Sequence, residues 1–159
     1  MARAKQAPRR QVQPDVRYGS VVVAKLINRA MIDGKKTIAQ KQIYGALEIL
    51  QETLKRDALE ALDEVLHRVA PQMEVRSRRV GGASYQVPMP VRDNRAQALA
   101  LRWLVTEANK RPNKTYHSFA EKLAAEMLDA LNEEGGAYAK RVNTHRMADA
   151  NKAFAHFRW

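Results

Sequence analysis

Apolar residues recur at steps of three and four along most of this chain, so it reads as a series of amphipathic helices. Val22, Val23, Leu26, Ile27, Ala30 and Met31 share one side of a first helix over residues 21–33. Ser20 is its predicted N-cap and Gly34 its stop. Lys25 and Arg29 fall off the apolar side. Ile43, Leu47, Leu50 and Leu54 make the stripe of a second helix, opened by Thr37. Leu59, Leu62, Leu66 and Val69 make that of a third, over residues 57–69, which Pro71 stops. A fourth helix runs from Asp93 or Asn94 to Asn109. It is apolar around most of its circumference, Trp103 included, and so belongs in the core. Its narrow polar stripe holds Arg95 and Arg102. Ser118 and Glu121 form a capping box before a fifth helix, striped by Phe119, Leu123, Met127 and Leu131. Glu133-Glu134-Gly135-Gly136 breaks that helix. The chain reads helical again from Tyr138, with Arg141, His145 and Lys152 on one side.

Between residues 73 and 91 the period changes. Two extended runs meet at Gly81-Gly82, and a glycine pair supplies the positive φ angles of a type I′ hairpin turn. That turn sets Val80 opposite Ala83, Arg79 opposite Ser84, Arg78 opposite Tyr85 and Arg76 opposite Val87. One face then carries Arg76, Arg78 and Tyr85. The other carries Ser77, Arg79, Ser84 and Gln86. Pro88 and Pro90 blunt an edge against further pairing. A two-stranded ribbon with arginines and an aromatic suits a nucleic-acid groove. A solvated hairpin packed on helices is the plainer alternative.

The expected fold is mainly α: a single domain of about six helices over residues 17–159, with a protruding two-stranded β-hairpin. Residues 1–16 form a basic, flexible N-terminal arm with Arg3, Lys5, Arg9 and Arg10, too poor in apolar side chains to order itself. The chain has no cysteine, and its formal net charge is +11. The charge is segregated into alternating basic and acidic blocks. Residues 1–41 and 75–114 are strongly basic, as is the end of the chain, while residues 42–74 and 115–136 are acidic. This distribution points to a polyanionic partner. Lys35 and Lys36 follow Gly34 directly, beside the backbone N–H groups of the next helix start, a combination suited to phosphate. Lys110, Arg111 and Lys114 cluster around Pro112. The acidic side of the second and third helices, with Glu48, Glu52, Glu60, Asp63 and Glu64, faces solvent or a basic protein. The aromatic end, His156-Phe157-Arg158-Trp159, either packs back on the protein or stacks on a base.

No catalytic set is visible. His67, His117, His145 and His156 lack zinc spacing, and there is no glycine-rich phosphate loop and no nucleophile elbow. Nothing points to a cofactor, a metal or a small-molecule substrate. No apolar run reaches the length of a membrane span, and no signal core follows Met1, so a soluble cytoplasmic protein is expected. Three readings remain at this level. They are a structural RNA-binding protein, an architectural DNA-binding protein with β-arms, and an RNA-acting enzyme. The second lacks an apolar wedge at the Gly-Gly tip.

Several segments together carry a family resemblance. YGS at 18–20, DGKK at 33–36 and YGAL at 44–47 resemble the N-terminal signature of the bacterial S seven family of small-subunit ribosomal proteins. EVRSRRVGG at 74–82 with YQVP at 85–88 resembles that family's β-arm. RWL at 102–104, HRMA at 145–148 and ANKAFAHFRW at 150–159 are similar to its C-terminal half. The resemblance implies a structural constituent of the small subunit, not an enzyme. It implies a primary binder of small-subunit ribosomal RNA that organises assembly of the subunit head. It further implies a place near the exit-site tRNA and the mRNA path, contacts with neighbouring ribosomal proteins, and repression of its own message. Under it, the tail, Lys25, Arg29, Lys35, Lys36, Arg76, Arg78, Arg79, Arg95, Arg102 and the Lys110, Arg111 and Lys114 loop would meet ribosomal RNA. Gly81, Gly82, Tyr85, Arg141, His145 and Lys152 would face tRNA and mRNA.

Overall fold

The computed structural model describes residues 10–158. Six α-helices, a hairpin and a final 3-10 turn follow in order: α1 (Val21–Ala30), α2 (Lys36–Leu54), α3 (Ala58–Val69), β1 (Met73–Val80), β2 (Ala83–Pro90), α4 (Asp93–Lys110), α5 (Phe119–Leu131), α6 (Gly135–Ala150) and the 3-10 helix Lys152–Phe157.

The apolar stripes meet in one core. Leu26, Ile27, Ile43, Leu47, Leu50, Leu62, Leu104, Leu123 and Met127 are fully buried there. α5 lies at the centre, against α2, α3, α4 and α6. α2 approaches it closely because Gly45 sits opposite Ala120, where an added Cβ would come within 3.4 Å of the Ala120 Cβ. Trp103 packs against the core, half-buried.

Polar side chains fix the helix starts where the sequence placed them in three cases. The Ser20 hydroxyl accepts from the Val22 N–H and the Asp57 carboxylate from the Leu59 N–H. The Ser118 hydroxyl accepts from the Glu121 N–H, while Glu121 itself accepts from the His117 N–H at 2.9 Å. Three boundaries differ from expectation. α1 ends at Ala30, because Met31 turns extended and Asp33 and Gly34 both take positive φ (53° and 72°) to reverse the chain. Thr37 lies inside the first turn of α2, whose N-cap is Lys35. Gly135 and Gly136 open α6 instead of preceding it, because the buried Glu126 carboxylate of α5 accepts from the Ala137 N–H at 2.8 Å and satisfies that helix start.

The hairpin has the expected register, from Met73 opposite Pro90 to Val80 opposite Ala83, with Gly81 and Gly82 at φ 58° and 90°. Its two faces differ. Ser77, Arg79, Ser84 and Gln86 are exposed, and the Ser77 and Ser84 hydroxyls pair across the strands at 2.6 Å. On the opposite face Glu74 and Val87 are buried, and Tyr85 packs on Phe154 and Phe157 with ring centroids 5.3 and 5.2 Å apart. The arm is therefore laid against α6 and the 3-10 helix on its Tyr85 face. The chain end packs back on the protein through these two phenylalanines. No described helix is long and apolar enough to cross a membrane.

Candidate nucleic-acid interface

Basic residues of the first and fourth helices converge. α1 lies beside α4, and the two enclose an open groove of about 720 Å³. Arg10, Lys25, Arg29 and Arg102 line it, with Val12, Val21, Asn28, Asn94, Gln97 and Leu101. The Lys25 ammonium donates to the Gln97 side-chain oxygen at 2.6 Å and ties the two helices together. Arg29 and Arg102 are exposed, and neither has a carboxylate within ion-pair reach among the described residues. Both guanidiniums stay hydrated and ready for an external anion.

The α1–α2 turn adds two more cations. Lys35 and Lys36 are exposed, and no side chain caps the first turn of α2. An uncapped helix start beside two ammonium groups favours phosphate. Part of the backbone there is already used, since the Lys35 and Lys36 N–H groups bond the Ile32 and Gly34 carbonyls at 3.0 and 2.8 Å.

Other predicted contacts are engaged inside the protein. The sequence places Arg111 in one loop cluster with Lys110 and Lys114, yet its guanidinium turns inward. It donates to Glu126 at 2.7 and 2.9 Å, bonds Asp129, and lies over the Tyr116 ring. Burial would lower its pKa, but the hydrogen bonds to Asp129 and Glu126 outweigh that and raise it. Three protein groups saturate this arginine and leave it little to offer phosphate. Lys110 binds Glu107 at 2.9 Å, and Lys140 of α6 binds the same carboxylate at 3.1 Å. Burial raises the Glu107 pKa, and the two ammonium groups more than reverse it. Lys114 stays exposed on the loop.

The arm arginines divide as well. Arg76 clasps the buried Glu74 at 2.5 Å, and Arg95 of α4 reaches the same carboxylate at 3.3 Å. Arg78 is half-buried on the packed face, and Arg79 is exposed on the open one. The residues assigned to the tRNA and mRNA side also differ from expectation. The Arg141 guanidinium donates to the Arg68 carbonyl at the end of α3, 2.7 Å away. His145 Nε2 accepts from the Gln72 N–H at 3.0 Å. Both therefore hold the α3–β1 junction onto α6. Burial, aided by the nearby Arg141 charge, lowers the His145 pKa against the opposing pull of Asp149. Tyr85 is covered by the 3-10 helix, whereas Gly81, Gly82 and Lys152 are exposed. Arg3, Lys5 and Arg9 lie outside the described residues. Asp15, on the tail side of the boundary drawn at residue 16, is buried and accepts from the Tyr44 hydroxyl at 2.7 Å.

Comparison with known proteins settles the family. Residues 2–152 match the profile of the family described as ribosomal protein S7p/S5e. This chain belongs to that family. It is 56% identical to the small ribosomal subunit protein uS7 of Acetivibrio thermocellus over the full length of both chains. It is 55% identical to that of Caldanaerobacter subterraneus subsp. tengcongensis and 53% identical to a uS7 of Cereibacter sphaeroides, again across both whole chains.

For a ribosomal protein of the S7p/S5e family, the residues that sequence reasoning missed are the uncharged ones of the groove. Val21 and Asn28 share a face of α1 with Lys25, and Asn94, Gln97, Ala98 and Leu101 share a face of α4 with Arg102. Helical spacing carried this signal: residues 94, 97, 98, 101 and 102 follow the steps of one stripe. Nothing in the sequence told that the two stripes face each other.

Proposed function

We propose that this protein is a structural constituent of the small ribosomal subunit and not an enzyme. It binds ribosomal RNA first through the α1–α4 face and the Lys35-Lys36 turn, and so organises assembly of the subunit head. The observation that carries this reading is the convergence of exposed, unpaired Arg29 and Arg102 on one groove, while Arg76, Arg95, Arg111 and Arg141 are taken up by carboxylates and a backbone carbonyl. The arm extends the interface through Arg79 and the Gly81-Gly82 tip toward exit-site tRNA and mRNA. The N-terminal arm, with Arg3, Lys5 and Arg9, wraps RNA beside Arg10. The helical domain that begins at residue 17 carries both. The exposed acids Glu52, Glu60 and Asp63 look toward basic neighbouring ribosomal proteins in the cytoplasmic ribosome.

Affinity in this reading comes mainly from phosphate neutralisation, so it falls steeply with salt. The test is binding of the purified chain to a head-domain fragment of small-subunit ribosomal RNA across a salt series, against unrelated RNA of equal length. Contact with six or more phosphates predicts a loss of roughly 10³-fold or more between 50 and 200 mM salt, together with preference for the head-domain fragment. A flat salt response, or equal binding to both RNAs, contradicts it.

A further inference from the structure

The α1–α4 groove has a floor and walls that a phosphate interface does not need. Its volume of about 720 Å³ falls within the range of roughly 300–1,000 Å³ of sites that enclose a small ligand. Val12 and Val21 line it with 37% and 38% of their surface exposed, and the core residue Leu101 shows only an edge to it. Asn28 and Asn94 bring amides with no hydrogen-bond partner among the described residues, and Gln97, held by Lys25, keeps its NH₂ group free. Arg10, Arg29 and Arg102 form a cationic rim.

A paired RNA helix presents a convex ridge of phosphates. It would engage the rim and leave the valines and amides unused. An unstacked nucleotide uses all three parts. Its base face covers the apolar valines and its edge meets the Asn28 and Asn94 amides, each of which offers both donors and an acceptor, and the Gln97 NH₂ group. Its flanking phosphates meet guanidiniums. We propose that this groove receives one extruded nucleotide from a single-stranded bulge or loop of RNA. The base lies on Val12 and Val21, and the phosphates lie on Arg29 and Arg102. The proposal rests on the RNA-binding reading above and adds the kind of RNA element that reading would require.

Two RNA hairpins of equal length separate the cases, one fully paired and one carrying a single unpaired adenosine. The full chain should bind the bulged hairpin roughly tenfold more tightly, the scale of one base held on a protein surface. Ala98→Trp, at an exposed position of α4 that lines the groove, fills the cavity and keeps every cation. It should bring the two affinities within about twofold of each other, at a level near that for the paired hairpin. Asn94→Ala, a milder change at the exposed start of α4, should narrow the preference without abolishing it. Equal, salt-sensitive binding of both hairpins by the unaltered chain overturns the groove proposal alone. So does a preference that survives Ala98→Trp in a folded protein. No binding to either hairpin at low salt overturns the RNA-binding reading along with it.

Discussion

At the α1–α4 groove, Arg29 and Arg102 stand exposed with no carboxylate in reach. Where α3 hands over to the hairpin, Arg141 reaches the Arg68 carbonyl, His145 receives the Gln72 N–H, and Arg76 and Arg95 share the buried Glu74. Both regions are rich in basic residues, and composition alone treats them alike. The difference lies in what each cation touches. A guanidinium saturated by protein acceptors holds elements together and neutralises a buried acid, whereas one facing only water is free to exchange water and counterions for phosphate. Counting basic residues finds the likelihood of a polyanion partner, and pairing state sorts those that build the fold from those able to meet it.

Four substitutions press on this division, in falling order of effect. Arg111→Ala removes the partner of Glu126, which is only 2% exposed. It should cost about 3 kcal/mol in chemical denaturation, the low end for breaking a buried pair because Asp129 remains partly solvated. RNA affinity per folded molecule should stay within about twofold. Arg29→Ala with Arg102→Ala should do the reverse. Loss of two phosphate contacts predicts about thirtyfold weaker RNA binding at 0.15 M salt, with stability within about 0.5 kcal/mol of the parent. Tyr85→Ala removes two ring contacts and should cost about 1–2 kcal/mol. The chain end would detach from the arm, read as faster proteolysis after Lys152 while the helical signal is retained.

The smallest effect concerns pH. His145 accepts the Gln72 hydrogen bond only as neutral imidazole, and its pKa in the folded protein lies below the ordinary 6.5. The unfolded chain then binds more protons in the window between the two values. Its contribution to stability is complete above about pH 6.5 and is lost as pH falls from there toward the folded value. Denaturation midpoints measured from pH 7.5 to 5.5 should decline, and His145→Gln should flatten part of that decline.

Much of the fold was legible because its signals are local. Leucine spacing, the Ser20 and Ser118 caps and the Gly81-Gly82 turn each act within a few residues, and the hairpin register follows from the turn alone. What was not legible depends on residues far apart in sequence. Arg111 reads as one of three loop cations until α5 brings Glu126 and Asp129 beneath it. Gly135 and Gly136 read as a break until Glu126 is seen to accept from the Ala137 N–H. Tyr85 reads as the aromatic of an arm facing nucleic acid until Phe154 and Phe157 pack on it. For the candidate interface, Lys25, Arg29 and Arg102 were each visible as off-core positions, but their meeting in one groove required the packing of α1 on α4.

The salt dependence of RNA affinity tests the central claim most directly. It would be measured on a head-domain ribosomal RNA fragment for the parent, for Arg29→Ala with Arg102→Ala, and for Arg141→Ala. The account predicts that the slope of log affinity against log salt falls by about two in the double variant and is unchanged in Arg141→Ala, which instead loses stability. An unchanged slope in the double variant, or an equal fall in Arg141→Ala, would contradict the division between free and engaged cations.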